Sequence, residues 1–226
     1  MRYYPVHLDV RGRACLVVGG GAVGTRKAGT LLDCAAVVTV VSPEATEELR
    51  LLAGSGRIEL KPRDYRAEDL EGKFLVIGAT DDEALNRRIS RDAEQRRILC
   101  NIADRPEVCN FILPSIVKRG DLVLTVSTAG KSPALAKRLR RELEGRYGPE
   151  YAVLLDLMGA IRRRLLAREH APEAHKPLFE AILDSGLLEL IRADRRTEID
   201  RLIRGLVGES FDIEEVLGPE EPRTHA

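Results

Sequence analysis

The segment CLVVGGGAVGTRKA, residues 15–28, constrains this chain more than any other. A short apolar run, 14–18, leads into three consecutive glycines. A fourth, Gly24, follows three residues after Gly21, inside a stretch of helical spacing. Gly19, Gly21 and Gly24 therefore form G-x-G-x-x-G between a strand and a helix, the context that gives this pattern physical meaning. The first glycine permits a tight turn, the second lets a pyrophosphate approach the backbone, and the third lets helix and strand pack closely. Amides at the helix N-terminus then face the phosphates with the positive end of the helix dipole. The same turn also serves as a plain βα connection without a ligand.

The flanking pattern decides the fold class. Strands are expected over 14–18, 36–41, 57–60, 74–80 and 98–103, and helices over 22–34, 43–56 and 82–95. The helix over 43–56 is expected to start with Ser42 as N-cap and Pro43 at its first position, and to stop at Gly54 and Gly56. Continuous apolar strands alternating with amphipathic helices specify a parallel sheet covered on both faces. Beyond residue 110 the pattern changes to two strands around KRGD, 118–121, and a helix over 132–148 capped by Ser132. From Pro149 the chain reads as helical over 150–169, 173–186 and 187–207, with a frayed tail over 218–226. The expected class is α/β: a Rossmann-type parallel sheet domain over 1–112, a hairpin–helix unit over 113–148 and a helical C-terminal part over 149–226.

Composition narrows the partners. Lys plus Arg and Asp plus Glu are 36 each, so no general attraction to nucleic acid or anionic lipid is expected. Aromatics at 4% and the absence of Trp argue against a base-stacking platform. Cys15, Cys34, Cys100 and Cys109 form no C-x-x-C pair and read as reduced thiols of a cytoplasmic protein. No apolar stretch reaches transmembrane length, so no membrane partner is expected. His7, His170, His175 and His225 form no cluster with cysteines, and no resident metal is expected.

The second strand reads VVSPE at its end. Ser42 stands where an acidic residue usually grips the ribose, and Glu44 lies two residues on. No Arg or Lys follows directly to hold a 2′-phosphate, which favours NAD over NADP. GATDD, 78–82, closes the fourth strand on the edge where open α/β sheets bind ligands. Hydride transfer needs a group for the accompanying proton. No Tyr starts a Y-x-x-x-K run and no His closes a strand, which leaves carboxylates. Asp104 follows the fifth strand on the glycine-turn edge, with Asp81 and Asp82 as rivals; an Asp after a strand also serves as a turn residue.

Four blocks in order, VVGGGAVGTRKAGTLL, GATDDEALNRRIS, CNIADRPEVCNFILPSIVKRGDL and VSTAGKSPALAKRLRRELE, together resemble the precorrin-2 dehydrogenase family, the NAD-dependent siroheme-synthase module. The resemblance implies oxidation of precorrin-2 to sirohydrochlorin with NAD and, in some members, insertion of ferrous iron as a second substrate. It implies a homodimer whose hairpin–helix unit crosses to the other subunit. It places the catalytic carboxylate of the CN-x-x-D block at Asp104. Cofactor contacts fall on Gly21, Ala22 and Val23, on Ser42, Pro43 and Glu44, and on Thr80 and Asp81. Substrate contacts are assigned to Asn101, Ser127, Lys131 and Ser132, and Lys118, Arg119, Lys137 and Arg138 supply further cations for a substrate rich in carboxylates. Thr128 stands where some bacterial fusion members carry a second Ser that can be phosphorylated. Helices rather than a methyltransferase module follow residue 148, so a separate uroporphyrinogen methyltransferase is expected upstream in the pathway. The competing classes are a non-enzymatic NAD-sensing module and a dehydrogenase of another small acid.

Overall fold

The structure, a computed structural model, describes residues 3–168, 175–208, 213 and 216. The tail expected over 218–226, His170 and His225 lie outside the described residues. The chain divides into two compact units. One carries the chain up to Leu113 together with Ala129–Lys131; the other carries Pro114–Thr128 and the chain from Ser132 onward.

The first unit is built on β1 (Ala14–Gly20), β2 (Val37–Ala45), β3 (Ile58–Lys61), β4 (Leu75–Gly78) and β5 (Leu99–Ile102), all parallel in the order β3-β2-β1-β4-β5. Helices α1 (Ala22–Asp33), α2 (Glu47–Gly54) and α3 (Glu83–Gln95) complete it. Successive strand residues point to opposite faces, so an unbroken apolar strand supplies both layers of core. Cys15 and Val17 of β1 pack with Ala28 and Leu31 of α1 and Leu49 of α2. Leu16 and Val18 pack on the other face with Ile89 and Ala93 of α3. Strand order reverses at β1, which pairs with both β2 and β4, and this opens a crevice at the carboxyl ends of those strands.

One sequence expectation is corrected here. Ser42 does not cap α2, and Pro43 is not its first residue; β2 continues through both to Ala45. Thr46 is the N-cap, its Oγ1 accepting from Leu49 N. A proline is tolerated within β2 because the ladder to β3 ends at Val41–Lys61, before Pro43. On the β1 side the register shifts between Val18 and Gly20, and pairing resumes at Gly20–Ala45.

The second unit opens with the antiparallel hairpin β6 (Ser115–Arg119) and β7 (Leu122–Val126), joined through Gly120 and Asp121. Gly120 has φ +56°, and an added Cβ would come 2.9 Å from Ala152 Cβ, so both the turn and its packing select glycine. Helices α4 (Pro133–Arg146), α5 (Glu150–Arg168), α6 (Lys176–Asp184), α7 (Leu187–Arg192) and α8 (Arg196–Val207) follow. Leu157, Ile161, Ile182, Leu187, Ile199 and Ile203 form their core. Each such side chain contributes about 1.5–3 kcal/mol by leaving water. The single helix expected over 187–207 is two. Asp194 adopts φ +50°, and Arg195 N donates back to Leu190 O at 3.0 Å, closing α7 before α8 begins.

Candidate active site

The four glycines divide their labour by what surrounds them. Gly19 has φ +112°, and a Cβ there would strike Ala79 O, so β1 and the β4 exit touch backbone to backbone. A Cβ on Gly24 would strike Gly19 O, which is the close helix–strand packing expected of the third glycine. Gly20 lies outside the G-x-G-x-x-G positions, yet a Cβ there would strike Glu44 O. The 42–46 segment runs hard against it, with Thr46 N donating to Gly20 O at 3.0 Å. Thr25 and Thr46 hydroxyls lock the two segments together at 2.7 Å. Gly21 differs. It is exposed, and among the described residues nothing lies within 4 Å of a Cβ built on it.

Gly21 is also the N-cap of α1. No side-chain hydrogen bond caps that helix among the described residues, and its first turn holds no acidic residue. Ala22 is exposed and Val23 half-buried beside it. The positive end of a 12-residue helix, left open and reached across bare backbone, fits a dinucleotide pyrophosphate.

The extension of β2 changes the reading of its end. Ser42 is buried, whereas Pro43 and Glu44 are exposed. Glu44 is the acidic residue at the carboxyl end of the second strand, the position that contacts a ribose in dinucleotide folds. At the end of β4, Thr80 is half-buried and Asp81 exposed. Thr80 Oγ1 accepts from Asp82 N at 3.1 Å, and Asp82 caps α3 by accepting from Leu85 N at 3.0 Å. Asn86, buried on α3, donates from Nδ2 to Thr80 O at 2.8 Å and anchors this turn.

Asp104 is exposed two residues past β5 and adopts φ +60°. This left-handed conformation is unusual for a residue with a side chain, and Asp tolerates it better than most. Lys27, half-buried on α1, lies within the electrostatic reach of Asp104. Burial pushes its ammonium pKa below the ordinary value, Arg26 adds to this, and Asp104 opposes it. Sequence reasoning missed Lys27. Its signal was a lysine in the Val23–Lys27–Leu31 stripe of an otherwise apolar helix edge.

Asn101 is buried, and its Nδ2 donates to Phe111 O at 3.1 Å, so its amide also braces the 101–111 segment. Lys131 and Ser127 are exposed. Ser132 caps α4 by accepting from Leu135 N at 3.2 Å, and its own N–H donates to Thr128 Oγ1 at 3.2 Å. Arg119 is committed to the C-terminal end of α4, donating to Tyr147 O and Glu144 O. Arg138 pairs with Glu142 one turn along α4. Lys118, Lys131 and Lys137 are exposed or lie at the unit surface. Among the described residues, no group of three or more His, Cys, Asp and Glu is placed to hold a metal.

Comparison with known proteins meets this geometry. The family described as "Putative NAD(P)-binding" matches residues 6–115, and "Sirohaem biosynthesis protein central" matches 119–146. A siroheme synthase of Thioalkalivibrio sulfidiphilus is 40% identical over 195 residues, covering 86% of this chain and 40% of the relative. One of Methylococcus capsulatus is 36% identical over 203 residues, covering 90% and 43%. A solved structure of SirC, precorrin-2 dehydrogenase, superposes with a TM-score of 0.74 at 29% identity, covering 92% of this chain and 100% of that one. Over most of its own length the chain is similar to siroheme synthases and to a precorrin-2 dehydrogenase.

It spans less than half the length of the curated siroheme synthases it matches. The first family match ends at 115, close to where the parallel-sheet unit gives way to the hairpin. The second covers most of the hairpin and α4. The expected α/β class is thus found both in the sheet and in the solved relative. No helix among the described residues is long and apolar enough to cross a membrane.

Proposed function

We propose that the chain is an NAD-dependent precorrin-2 dehydrogenase that forms sirohydrochlorin in siroheme synthesis. One observation carries this reading. The open Gly21 turn, Glu44, Thr80–Asp81 and Asp104 all close parallel strands of one sheet at the same edge. Gly19, Gly20 and Gly24 shape the backbone there. Gly21, Ala22 and Val23 offer amides to the pyrophosphate, Ser42, Pro43 and Glu44 receive the adenosine ribose, and Thr80 and Asp81 border the nicotinamide half. Bound NAD supplies a two-electron acceptor for hydride. The oxidation removes one hydride and one proton from precorrin-2 and yields sirohydrochlorin, NADH and a proton. Asp104 accepts that proton at a carboxylate oxygen, the role expected of a general base. Lys118, Lys131 and Lys137 are the proposed cations for substrate carboxylates, Lys27 adds positive charge near Asp104, and Asn101, Ser127 and Ser132 are the proposed polar contacts.

The protein acts as a homodimer in the cytoplasm. Ile116 of β6 and Leu135 and Leu139 of α4 are exposed, an apolar set on the hairpin–helix elements that supports pairing of two copies. The four cysteines are free, which suits a reducing compartment.

The test is anaerobic turnover of enzymatically made precorrin-2 with NAD and NADP in parallel. NADH appearing with sirohydrochlorin, and a loss of about 10²–10⁴ in kcat for Asp104→Asn with NAD binding kept, is the expected result. Ferrous iron added afterwards tests metal insertion. Tight dinucleotide binding without turnover would move the chain to the NAD-sensing class.

A further inference from the structure

The segment after β5 is held in an unusual way. β5 is an edge strand of the five-stranded sheet, and among the described residues no sixth strand covers it. Residues 108–111 run beside it and satisfy its backbone largely through side chains. Asn110 Oδ1 accepts from Cys100 N at 2.8 Å, and its Nδ2 donates to Ile98 O at 2.9 Å. Asn110 N donates to Cys100 O at 3.1 Å. From the other side, Ser90 of α3 donates to Val108 O at 2.7 Å. Residues 103–108 thus form a short excursion clamped at both ends, with Asp104 near its start.

The Cys109 sulfur sits inside that excursion. It accepts from Ile102 N at 3.1 Å and lies 3.7 Å from Asn101 Nδ2. Its single S–H proton faces two carbonyls, Arg105 O at 3.1 Å and Ile102 O at 3.4 Å. The thiol therefore touches the backbone on both flanks of Asp104, the residue held at φ +60°. An unpaired backbone group or a relaxed turn here would let Asp104 return to an ordinary conformation, carrying its carboxylate elsewhere. Burial pushes the Cys109 thiol pKa up, so the sulfur stays protonated and available as a donor.

We propose that Cys109 is a positioning residue for Asp104, holding the 102–105 turn so that the carboxylate stands at the reacting edge of the sheet. This inference rests on the proposed role of Asp104. The sulfur itself performs no chemistry. A hydroxyl sits on a shorter bond and would reach fewer of these partners; a methyl would reach none.

The experiment is a kinetic double-mutant cycle on the full chain with NAD and precorrin-2. Cys109→Ala and Cys109→Ser are each made alone and on Asp104→Asn, with thermal melting as a check of folding; the Ser variant carries the test if the Ala variant fails to fold. Cys109→Ala is expected to lower kcat about 10- to 100-fold, as misplacement of a catalytic group does, with the KM for NAD unchanged. On Asp104→Asn the same change is expected to cost less than about twofold, because the group it positions is already gone. A kcat within twofold of the parent for both cysteine variants, with Asp104→Asn crippled, overturns the proposal and leaves the catalytic reading standing. An equal loss in both backgrounds also overturns it, since Cys109 would then act independently of Asp104. Full activity of Asp104→Asn would overturn the catalytic reading itself, and with it this proposal.

Discussion

Gly21 and Gly24 both belong to the G-x-G-x-x-G run, yet alanine at each should fail in opposite ways. At Gly24 the new methyl meets Gly19 O, a backbone atom that cannot swing aside, so α1 must move off β1. Overpacking of this kind costs about 1–3 kcal/mol. For a unit of this size each kcal/mol lowers the melting temperature by about 4–8 °C. At Gly21 the methyl enters open space, and φ −77° suits alanine, so melting should stay close to that of the parent. The methyl nevertheless stands on the open approach to the α1 amides, the proposed pyrophosphate site. Loss of one hydrogen bond to a charged group costs about 1.5–3 kcal/mol, or roughly 10- to 150-fold in NAD affinity. Thermal melting and a calorimetric NAD titration on both variants separate the two effects. Equal destabilisation by Gly21→Ala and Gly24→Ala, or unchanged NAD affinity in Gly21→Ala, would refute the division of roles.

Glu44→Ala should raise the ratio of NADP-linked to NAD-linked kcat/KM, since a carboxylate in the proposed ribose contact also repels a 2′-phosphate; an unchanged ratio would place the ribose elsewhere. Asp69 is buried, and Arg63 holds it through two hydrogen bonds of 2.8 and 2.6 Å, keeping its carboxyl below the usual range. Its contribution to stability is therefore present above the unfolded value near 3.9 and is lost as pH falls toward the lower folded value. Urea midpoints measured from pH 6 down to 3 should fall more steeply for the parent than for Asp69→Asn. For the proposed homodimer, Leu139→Asp on the exposed face of α4 should shift dimer to monomer in sedimentation while leaving helix content intact; an unchanged mass would remove that face from the proposed interface.

Several features were legible because they depend on local spacing. The parallel sheet follows from apolar runs too continuous to be half-exposed, and the glycine turn from its place between such a run and an amphipathic helix. The cap of α4 at Ser132 and that of α3 at Asp82 sit where short polar residues precede helical spacing. The end of β2 was not legible. Ser42–Pro43 carries the local chemistry of a helix start, and only the end of the β3 ladder at Val41–Lys61 and the contact with Gly20 show that the strand runs on.

By itself the sequence determined the element types, their alternation and the edge on which the glycine turn and Asp104 lie, because periodicity and turn chemistry act over a few residues. Tertiary structure alone decided that Gly20 must lack a side chain, that Lys27 shares the neighbourhood of Asp104, and that a cysteine and an asparagine stand in for a missing strand beside β5. Each of these depends on which distant backbone atom lies within a few ångströms, and no local pattern of residues encodes that distance.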